Sequence, residues 1–355
     1  MLNSQSVKKV PALIDIEQAK RSLAPAFELA VAQVPDSLVE TDYTIAGHPV
    51  RIRIVGKQLA ADVDKALCHL RGGSSDAPEL TVEIWDDGDV GPISWADWPE
   101  DADTNGTISL ADEDRFVFTQ RPASAMLLDR QECRIVGGIR GREFLHQDER
   151  VRPFHRLISI WLDDRNIQFV HAGLVAHEDQ GLLIVGKGGS GKSTSSISCM
   201  LDGFTFLSDD YVALAAHEDG SYIGHSLYAS CLIDHVNRFP DLACIAHTPN
   251  MTYEIKDSVY LADCPKAHFA PETKLSAILM PRVVDRPDTI YRRAKTMEAM
   301  LMLAPSSIWI LPGSASFSLD KMEGLVTTVP AYWLELGRDY EIASTIRKIC
   351  SELEG

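Results

Sequence analysis

The stretch from Gly181 to Thr194, GLLIVGKGGSGKST, constrains this chain more than any other. Leu182 to Val185 are consecutive apolar residues, the composition of a short buried strand. Gly186, Lys187, Gly188, Gly189, Ser190, Gly191, Lys192 and Ser193 then fill the Walker A pattern G-x-x-x-x-G-K-[ST] at every defined position, and the residues after Ser193 open a helix. The chemistry needs these residue types. Glycines let the backbone turn tightly and aim its N–H groups inward at an anion, and the helix start adds partial positive charge. In such a P-loop the residues from Gly186 to Thr194 cradle the phosphates. Lys192 reaches the β- and γ-phosphates, and the Ser193 hydroxyl holds Mg²⁺. The bland alternative is a glycine-rich strand-to-helix turn that binds nothing; a complete motif set between a strand and a helix argues against it.

The chain has 355 residues, room for two domains, with a formal charge of −17. That charge disfavours non-specific binding to nucleic acid or to anionic membranes, though it permits a local basic pocket. The apolar runs are too short to cross a bilayer, and the N-terminal residues lack a signal-peptide core, so the expectation is a cytoplasmic protein without nucleic-acid or membrane partners. The seven cysteines contain no C-x-x-C pair, against a zinc site and against a disulfide framework.

Residues 1–40 read as a tail carrying one helix near Ile16 to Val34. Residues 41–145 read as a small, mostly antiparallel β-rich domain with one helix over Gln58 to Leu70. In it Val50, Ile52 and Ile54 alternate with Arg51 and Arg53, and Leu80, Val82 and Ile84 alternate with Thr81 and Glu83, as half-buried strands do. Strands follow at Arg115–Thr119, Ala123–Leu128 and Cys133–Gly137. Residues 146–355 read as a mixed α/β domain. Its expected elements include a helix over Arg152 to Leu162 and a strand at Ile167–Val170 leading into His171–Val175. A turn at 177–181 makes that strand antiparallel to the P-loop strand. Next come a strand over Phe204 to Ala215 and another over Lys274 to Met280. A helix over Arg293 to Leu303, strands at Ser307–Leu311 and Ala331–Leu336, and a last helix over Glu341 to Leu353 complete the chain.

Between Asp86 and Asp114 the sequence has ten Asp or Glu residues and no Lys or Arg, with Trp95 and Trp98 among them. The bland reading is a solvated acidic loop. The sharper reading is a surface that recruits a basic segment of a protein or peptide, with the tryptophans as anchors.

Asp209 and Asp210 follow Phe206-Leu207-Ser208 at the end of an apolar strand, where adjacent side chains point to opposite faces. One can face phosphate while the other faces Mg²⁺ or a structural partner. Phosphoryl transfer needs a carboxylate that helps hold metal and a group that orients or deprotonates the attacking hydroxyl. His171, on the strand paired with the P-loop strand, is open to a structural or a catalytic reading.

Taken together, His171-Ala172-x-x-Val175, then GKGGSGKS, then Leu207-Ser208-Asp209-Asp210-Tyr211-Val212 resemble the catalytic domain of HPr kinase/phosphorylase. The matching portion covers about Phe169 to Ala213, and Gly337-Arg338-Asp339 resembles the family's later G-R-N. The resemblance implies an α/β fold: a P-loop catalytic domain of HPr kinase / phosphoenolpyruvate carboxykinase type with a mixed, partly antiparallel sheet, here preceded by the small β-rich α+β domain. It implies an ATP-dependent serine kinase, or one using another nucleoside triphosphate, with Mg²⁺. Asp209 would be the base that deprotonates the acceptor and His171 would support it, with Lys192 completing the catalytic set. Ser193 would be a Mg²⁺ ligand, with Asp210 in the metal's second shell. The family's Glu-containing glycine-rich segment is absent; His225-Ser226-Leu227-Tyr228-Ala229-Ser230 stands there instead. Neither HPr as substrate nor the phosphorylase reaction is therefore carried over. Three readings remain open: a kinase acting on a serine of a protein or peptide, a kinase for a small metabolite hydroxyl, and a nucleotide-dependent switch without an acceptor. A homo-oligomer is compatible with each.

Overall fold

The computed structural model describes residues 15–73, 76–93, 106–247, 256–308, 315–339 and 341–353. The chain divides into two compact units, one drawn from Met1–Asp42, Val50–Asp62 and Ser75–His146, the other from Tyr43–Pro49, Val63–Ser74 and Gln147–Gly355. The fold is mixed α/β with mixed sheets. No helix among the described residues is long and apolar enough to cross a membrane.

The first sheet arises from α1 (Ile16–Gln33), β1 (Leu38–Ile45), β2 (His48–Val55), α2 (Lys57–Leu67), β3 (Leu80–Asp86), α3 (Asp87–Val90), β4 (Thr107–Ala111), β5 (Phe116–Arg121), β6 (Ser124–Asp129) and β7 (Arg134–Ile139). Strand order is β1-β2-β3-β7-β6-β5-β4. The chain from β4 to β7 is an antiparallel meander, as a mostly antiparallel sheet requires, while β3 runs parallel to both β2 and β7, two pairings that the sequence reading does not include. A parallel pair needs a crossover, and α2 lies between β2 and β3 in the chain. The alternation in β3 is misleading for a physical reason. A central parallel strand is covered on both faces, and Glu83 is buried where Arg53 and Arg134 share its carboxylate.

Helix α1 is not a tail. Ala19, Leu23, Ala26, Phe27 and Ala30 are buried and pack with Trp85, Phe118, Leu127 and Val136, so the helix is a layer of the core. Several of the acids from Asp86 onward hold local structure. Asp86 is buried and accepts the Gly88 N–H (2.9 Å). Asp87 accepts the Trp85 indole N–H and the Ile93 N–H (3.0 Å each), and Asp89 accepts the Gln58 N–H (2.9 Å). Asp112 pairs with Lys20. Asp86, Asp87 and Asp89 hold turns and a helix start, while Asp97, Glu100, Asp101 and Asp103 lie outside the described residues. Trp95 and Trp98 lie outside the described residues.

The second unit contains α4 (Gln147–Val151), α5 (His155–Asp163), β8 (Ile167–Val170), β9 (Ala172–His177), β10 (Gln180–Val185), α6 (Lys192–Leu201), β11 (Thr205–Ser208), β12 (Val212–Ala216), β13 (Tyr222–His225) and β14 (Ser230–Ile233). It continues through α7 (Pro240–Ala243), β15 (Ala246–His247), β16 (Asp257–Tyr260), β17 (His268–Phe269), β18 (Glu272–Val283), β19 (Ile290–Arg293), α8 (Thr296–Ile308), α9 (Ala315–Thr328), β20 (Ala331–Leu336) and α10 (Ile342–Leu353). The main sheet runs β17-β11-β9-β10-β18-β13-β12-β8, with β20 also on β18 and β19 on β20; β14, β16 and β15 form a small separate sheet. β10 sits between antiparallel β9 and parallel β18, which is itself parallel to β20. Alternation along β10 serves two cores. Leu182 and Ile184 join α6 and α10 through Ile197, Met200, Ile346 and Ile349, while Leu183 and Val185 join α8 and α9 through Leu303, Met322 and Leu325. The sheet is therefore a middle layer between helices.

Three sequence expectations differ here. The helix expected over Arg152–Leu162 starts three residues later, at His155: the separate short helix α4 ends at Val151, and Phe154 between them is left-handed at φ 61°. The strand expected over Phe204–Ala215 is two strands, β11 and β12, on different neighbours. Ser307 and Ile308, expected in a strand, end α8, and the rest of that segment lies outside the described residues.

If α1 is a core layer, Phe27→Ala should lower the stability of the full chain by about 3–5 kcal/mol, the usual cost of emptying a buried aromatic site. Denaturant unfolding followed by far-UV circular dichroism measures this. A change within about 0.5 kcal/mol, as at a surface position, would return the helix to a tail.

Candidate active site

Two chain crossings assemble the site. β8 pairs with β12 and β9 pairs with β11, so the backbone changes neighbours once at His171 and again across Asp209-Asp210-Tyr211. The kinks lie side by side. Asp210 adopts a left-handed backbone, φ 66°, and Ser208 Oγ donates to the Tyr211 carbonyl (2.6 Å) to hold the second turn. Left-handed Asp is tolerated where its short polar side chain finds partners. Those partners are His171, whose Nε2 lies 3.1 Å from Asp210 Oδ1, and Arg152, which donates to Oδ2.

Arg152 is a site residue that sequence reasoning misses. It is 4% exposed, also donates to Asp148 Oδ1 (2.6 Å) one helical turn earlier, and lies over the Tyr211 ring at 5.2 Å. His155 stacks on the same Tyr211 ring, with centroids 5.2 Å apart. The broken helix around Arg152 exposes carbonyls that need donors. Tyr260 hydroxyl serves Arg150 (3.2 Å), Ser230 serves Val151, Tyr228 serves Pro153 (3.0 Å), and His155 Nδ1 lies 3.1 Å from the Arg152 carbonyl. Part of the segment from His225 to Ser230 thus clamps the backbone that carries Arg152. The i,i+4 spacing of Asp148 and Arg152 is visible in the sequence; the pairing across 58 positions to Asp210 is not.

The loop from Gly186 to Gly191 joins β10 to α6, strand to helix as expected. Gly189 (φ 76°) and Gly191 (φ 105°) take conformations that side chains resist. Lys187, Gly188 and Gly189 are exposed at the loop tip. Lys192 is buried and folds back on its own loop, donating to the carbonyls of Gly186 (2.8 Å) and Lys187 (3.4 Å). Burial holds its pKa below the ordinary lysine value. Ser193 and Thr194 are half-buried in the first turn of α6, and the buried Ser190 and Ser195 hydroxyl oxygens lack partners.

Asp209 is the most telling residue. It is 0% exposed, and neither carboxylate oxygen has a partner at hydrogen-bonding geometry, though the Ser193 hydroxyl is close enough to favour the charged form. Burial raises its pKa to about 7, with repulsion from Asp210 adding to the shift and Arg152, Ser193 and Lys192 opposing it. Asp210 goes the other way. Burial alone would raise it too, but Arg152 first and His171 next hold it well below the usual carboxylate range. His171, expected to support Asp209, bonds Asp210 directly, and its Nδ1 is buried without a partner.

The residues fit a hard cation. Ser193, Asp209 and Asp210 offer oxygen atoms, and two of those on Asp209 have nothing else to bind. Among the described residues no three His, Cys, Asp or Glu side chains converge on a common point, so few protein oxygens would be joined by phosphate and water, as Mg²⁺ prefers.

No family model and no curated protein matches the sequence. Among solved structures the chain is similar to the HPr(Ser) kinase/phosphatase from Coxiella burnetii, at 14% identity and a TM-score of 0.32, over 53% of this chain and 99% of that one. A likeness at that level establishes no family membership.

The pKa of Asp209 sets a sign for stability. Raised in the folded chain from 3.8 to about 7, it favours folding only while protonated. Stability is fully present at low pH and is lost as pH rises through that window. Asp209→Asn should therefore unfold at higher temperature than the parent at pH 8, by a gain on the order of 1–3 kcal/mol that shrinks to nothing near pH 4. Melting curves across pH, without nucleotide or metal, measure it. A variant no more stable at pH 8 would mean the carboxylate is satisfied.

Proposed function

We propose that this protein is a Mg²⁺-dependent kinase that transfers the γ-phosphoryl group of ATP, or of another nucleoside triphosphate, to a serine hydroxyl of a protein or peptide. One observation carries the reading: a fully buried, unpartnered carboxylate, Asp209, held near neutral pKa beside the first turn of the helix that follows a complete phosphate-binding loop. A general base works best with a pKa near the operating pH.

In this reading the N–H groups of the loop and the start of α6 take up the phosphates. The Lys192 ammonium exchanges its bonds to the Gly186 and Lys187 carbonyls for phosphate oxygens. Ser193 Oγ, with Asp210 behind it, would hold Mg²⁺, which when bound spreads the charge of the transferred group. Asp209 accepts the proton of the acceptor hydroxyl as that oxygen attacks phosphorus and the bond to the leaving nucleoside diphosphate breaks. Arg152 and His171 fix Asp210 as an anion, which leaves Asp209 as the carboxylate able to take the proton.

Lys192→Ala should weaken triphosphate binding in calorimetry and abolish transfer, since it removes the charge placed for the β- and γ-phosphates. Unchanged affinity and turnover would make the loop a structural turn. Asp209→Asn should keep the affinity for nucleotide measured without metal and lower turnover by about 10²-fold or more. Transfer of label from γ-labelled ATP to polypeptide in a host lysate is the readout. Near-normal turnover in this variant removes Asp209 from the role. Label appearing only in small molecules would favour a metabolite kinase, and hydrolysis with no labelled acceptor would favour a switch.

A further inference from the structure

A second surface adjoins the loop through α8. The His171 backbone N–H donates to Ser307 Oγ of this helix (3.1 Å), and the Met302 methyl lies 3.7 Å from where a Cβ on Gly186 would sit. One side of α8 is thus seated on the candidate site. Met297 and Leu301, one turn apart, are 68% and 61% exposed.

The strands beside this helix continue the surface. Register sets Arg282, Glu335 and Ile290 in one row across β18, β20 and β19, and Met280, Trp333 and Arg292 in the adjacent row on the same face. Trp333 consequently has guanidinium groups near its ring from Arg282 at 4.9 Å and Arg292 at 5.6 Å, and its indole N–H donates to Glu298 of α8 (2.9 Å). Glu335 is buried and takes Arg282, Arg286 (2.9 Å) and Arg292 (3.9 Å). The three arginine side chains nonetheless stay 44–46% exposed. Three guanidinium groups face two carboxylates here, a positive excess in a chain of charge −17. Exposed Met with Arg and a half-covered Trp is the composition of a recognition surface.

We propose that this surface docks the phosphoacceptor, and that it selects a polypeptide segment carrying both carboxylates and apolar side chains. The carboxylates meet Arg282, Arg286 and Arg292, and the apolar groups lie on Met297, Leu301 and Trp333. Charge complementarity names the class of partner, and contact of α8 with Gly186 and His171 places a docked segment next to the loop. The consequence for transfer rests on the kinase reading; the docking does not.

The test uses the full chain and fluorescein-labelled synthetic peptides, each with a central serine, one set flanked by Glu and Leu and a matched set flanked by Lys and Leu. Anisotropy titrations without nucleotide should give saturable binding of the Glu/Leu set only. Arg286→Glu, Arg292→Glu, and the pair Met297→Ser with Leu301→Ser should each raise the Kd by about tenfold or more. Calorimetric nucleotide affinity should stay at the parent value. The Met297/Leu301 pair changes only exposed side chains and decides the matter if a charge reversal does not fold. Equal binding of the two peptide sets, or parent-like Kd values in every folded variant, overturns the proposal. So does a sedimentation result in which these variants convert a dimer to monomer without affecting peptide, since the face would then belong to self-association. Loss of acidic-peptide binding in the variants of a chain that never transfers phosphate would sink the kinase reading and leave the docking surface standing.

Discussion

The arrangement around the loop depends on one buried ion pair, Arg152 with Asp210. Both side chains are nearly out of water, and taking two charges there costs several kcal/mol each before attraction repays it. Repayment needs close geometry and satisfied neighbours. The structure supplies both: Asp148 takes a second face of the guanidinium, Tyr211 lies against it, and His171 takes the other oxygen of Asp210. The local backbone favours the pair. A regular helix from Gln147 to Asp163 is barred by Pro153, which has no N–H for the Glu149 carbonyl and disfavours a helical Arg152. Instead the helix stops, and Tyr260, Ser230, Tyr228 and His155 contact the carbonyls left open. Removing Arg152 alone would strand a buried carboxylate, the costly way to break such a pair.

What the sequence shows of this site is the part that is local. The phosphate-binding motif, the strand before it, the helix after it and the antiparallel turn at Glu178-Asp179 follow from residue type and spacing within a few positions. The double Asp is visible as chemistry. The break between β11 and β12 is not, because apolar residues flank the two acids on both sides and Phe204 to Ala215 reads as one strand, whereas the crossing is decided by which neighbours β9 and β12 take. Arg152 is hidden for the same reason: its partner lies 58 positions away. In the first unit the alternation of β3 suggests an exposed face, and only the parallel neighbours on both sides show why Glu83 is buried. The acidic run after β3 is legible in the sequence only as composition. Counting charges cannot reveal that Asp86, Asp87 and Asp89 accept N–H groups in turns.

Two identical side chains, adjacent in sequence, end in opposite states. Asp210 has a guanidinium, an imidazole and some solvent; Asp209 has no solvent and, for a neighbour that favours its charge at close range, only the Ser193 hydroxyl, outside hydrogen-bonding geometry. The anion on Asp210 makes ionisation of Asp209 harder, so the ion pair that secures the backbone also sets the proton affinity of its neighbour. The structure needs one of these charges for its fold and has no internal use for the other.

That surplus has a thermodynamic consequence. An unpartnered buried carboxylate lowers stability, and local violations of otherwise consistent design are found where a protein binds or reacts. Any cation brought to the loop would pull the Asp209 pKa down, and by linkage ionised Asp209 would raise the affinity for that cation by the same free energy. The free energy withheld from folding is then available on binding. Lys192 repeats the pattern with opposite sign: it is a buried cation, depressed in pKa and held only by the carbonyls of its own loop, which an anion can replace. A cation with a weak hold and an anion with none, placed by one strand–loop–helix and one strand crossing, are complementary to a ligand that brings both signs at once. A metal-bound polyphosphate is such a ligand, and either ion alone would satisfy only half of the site.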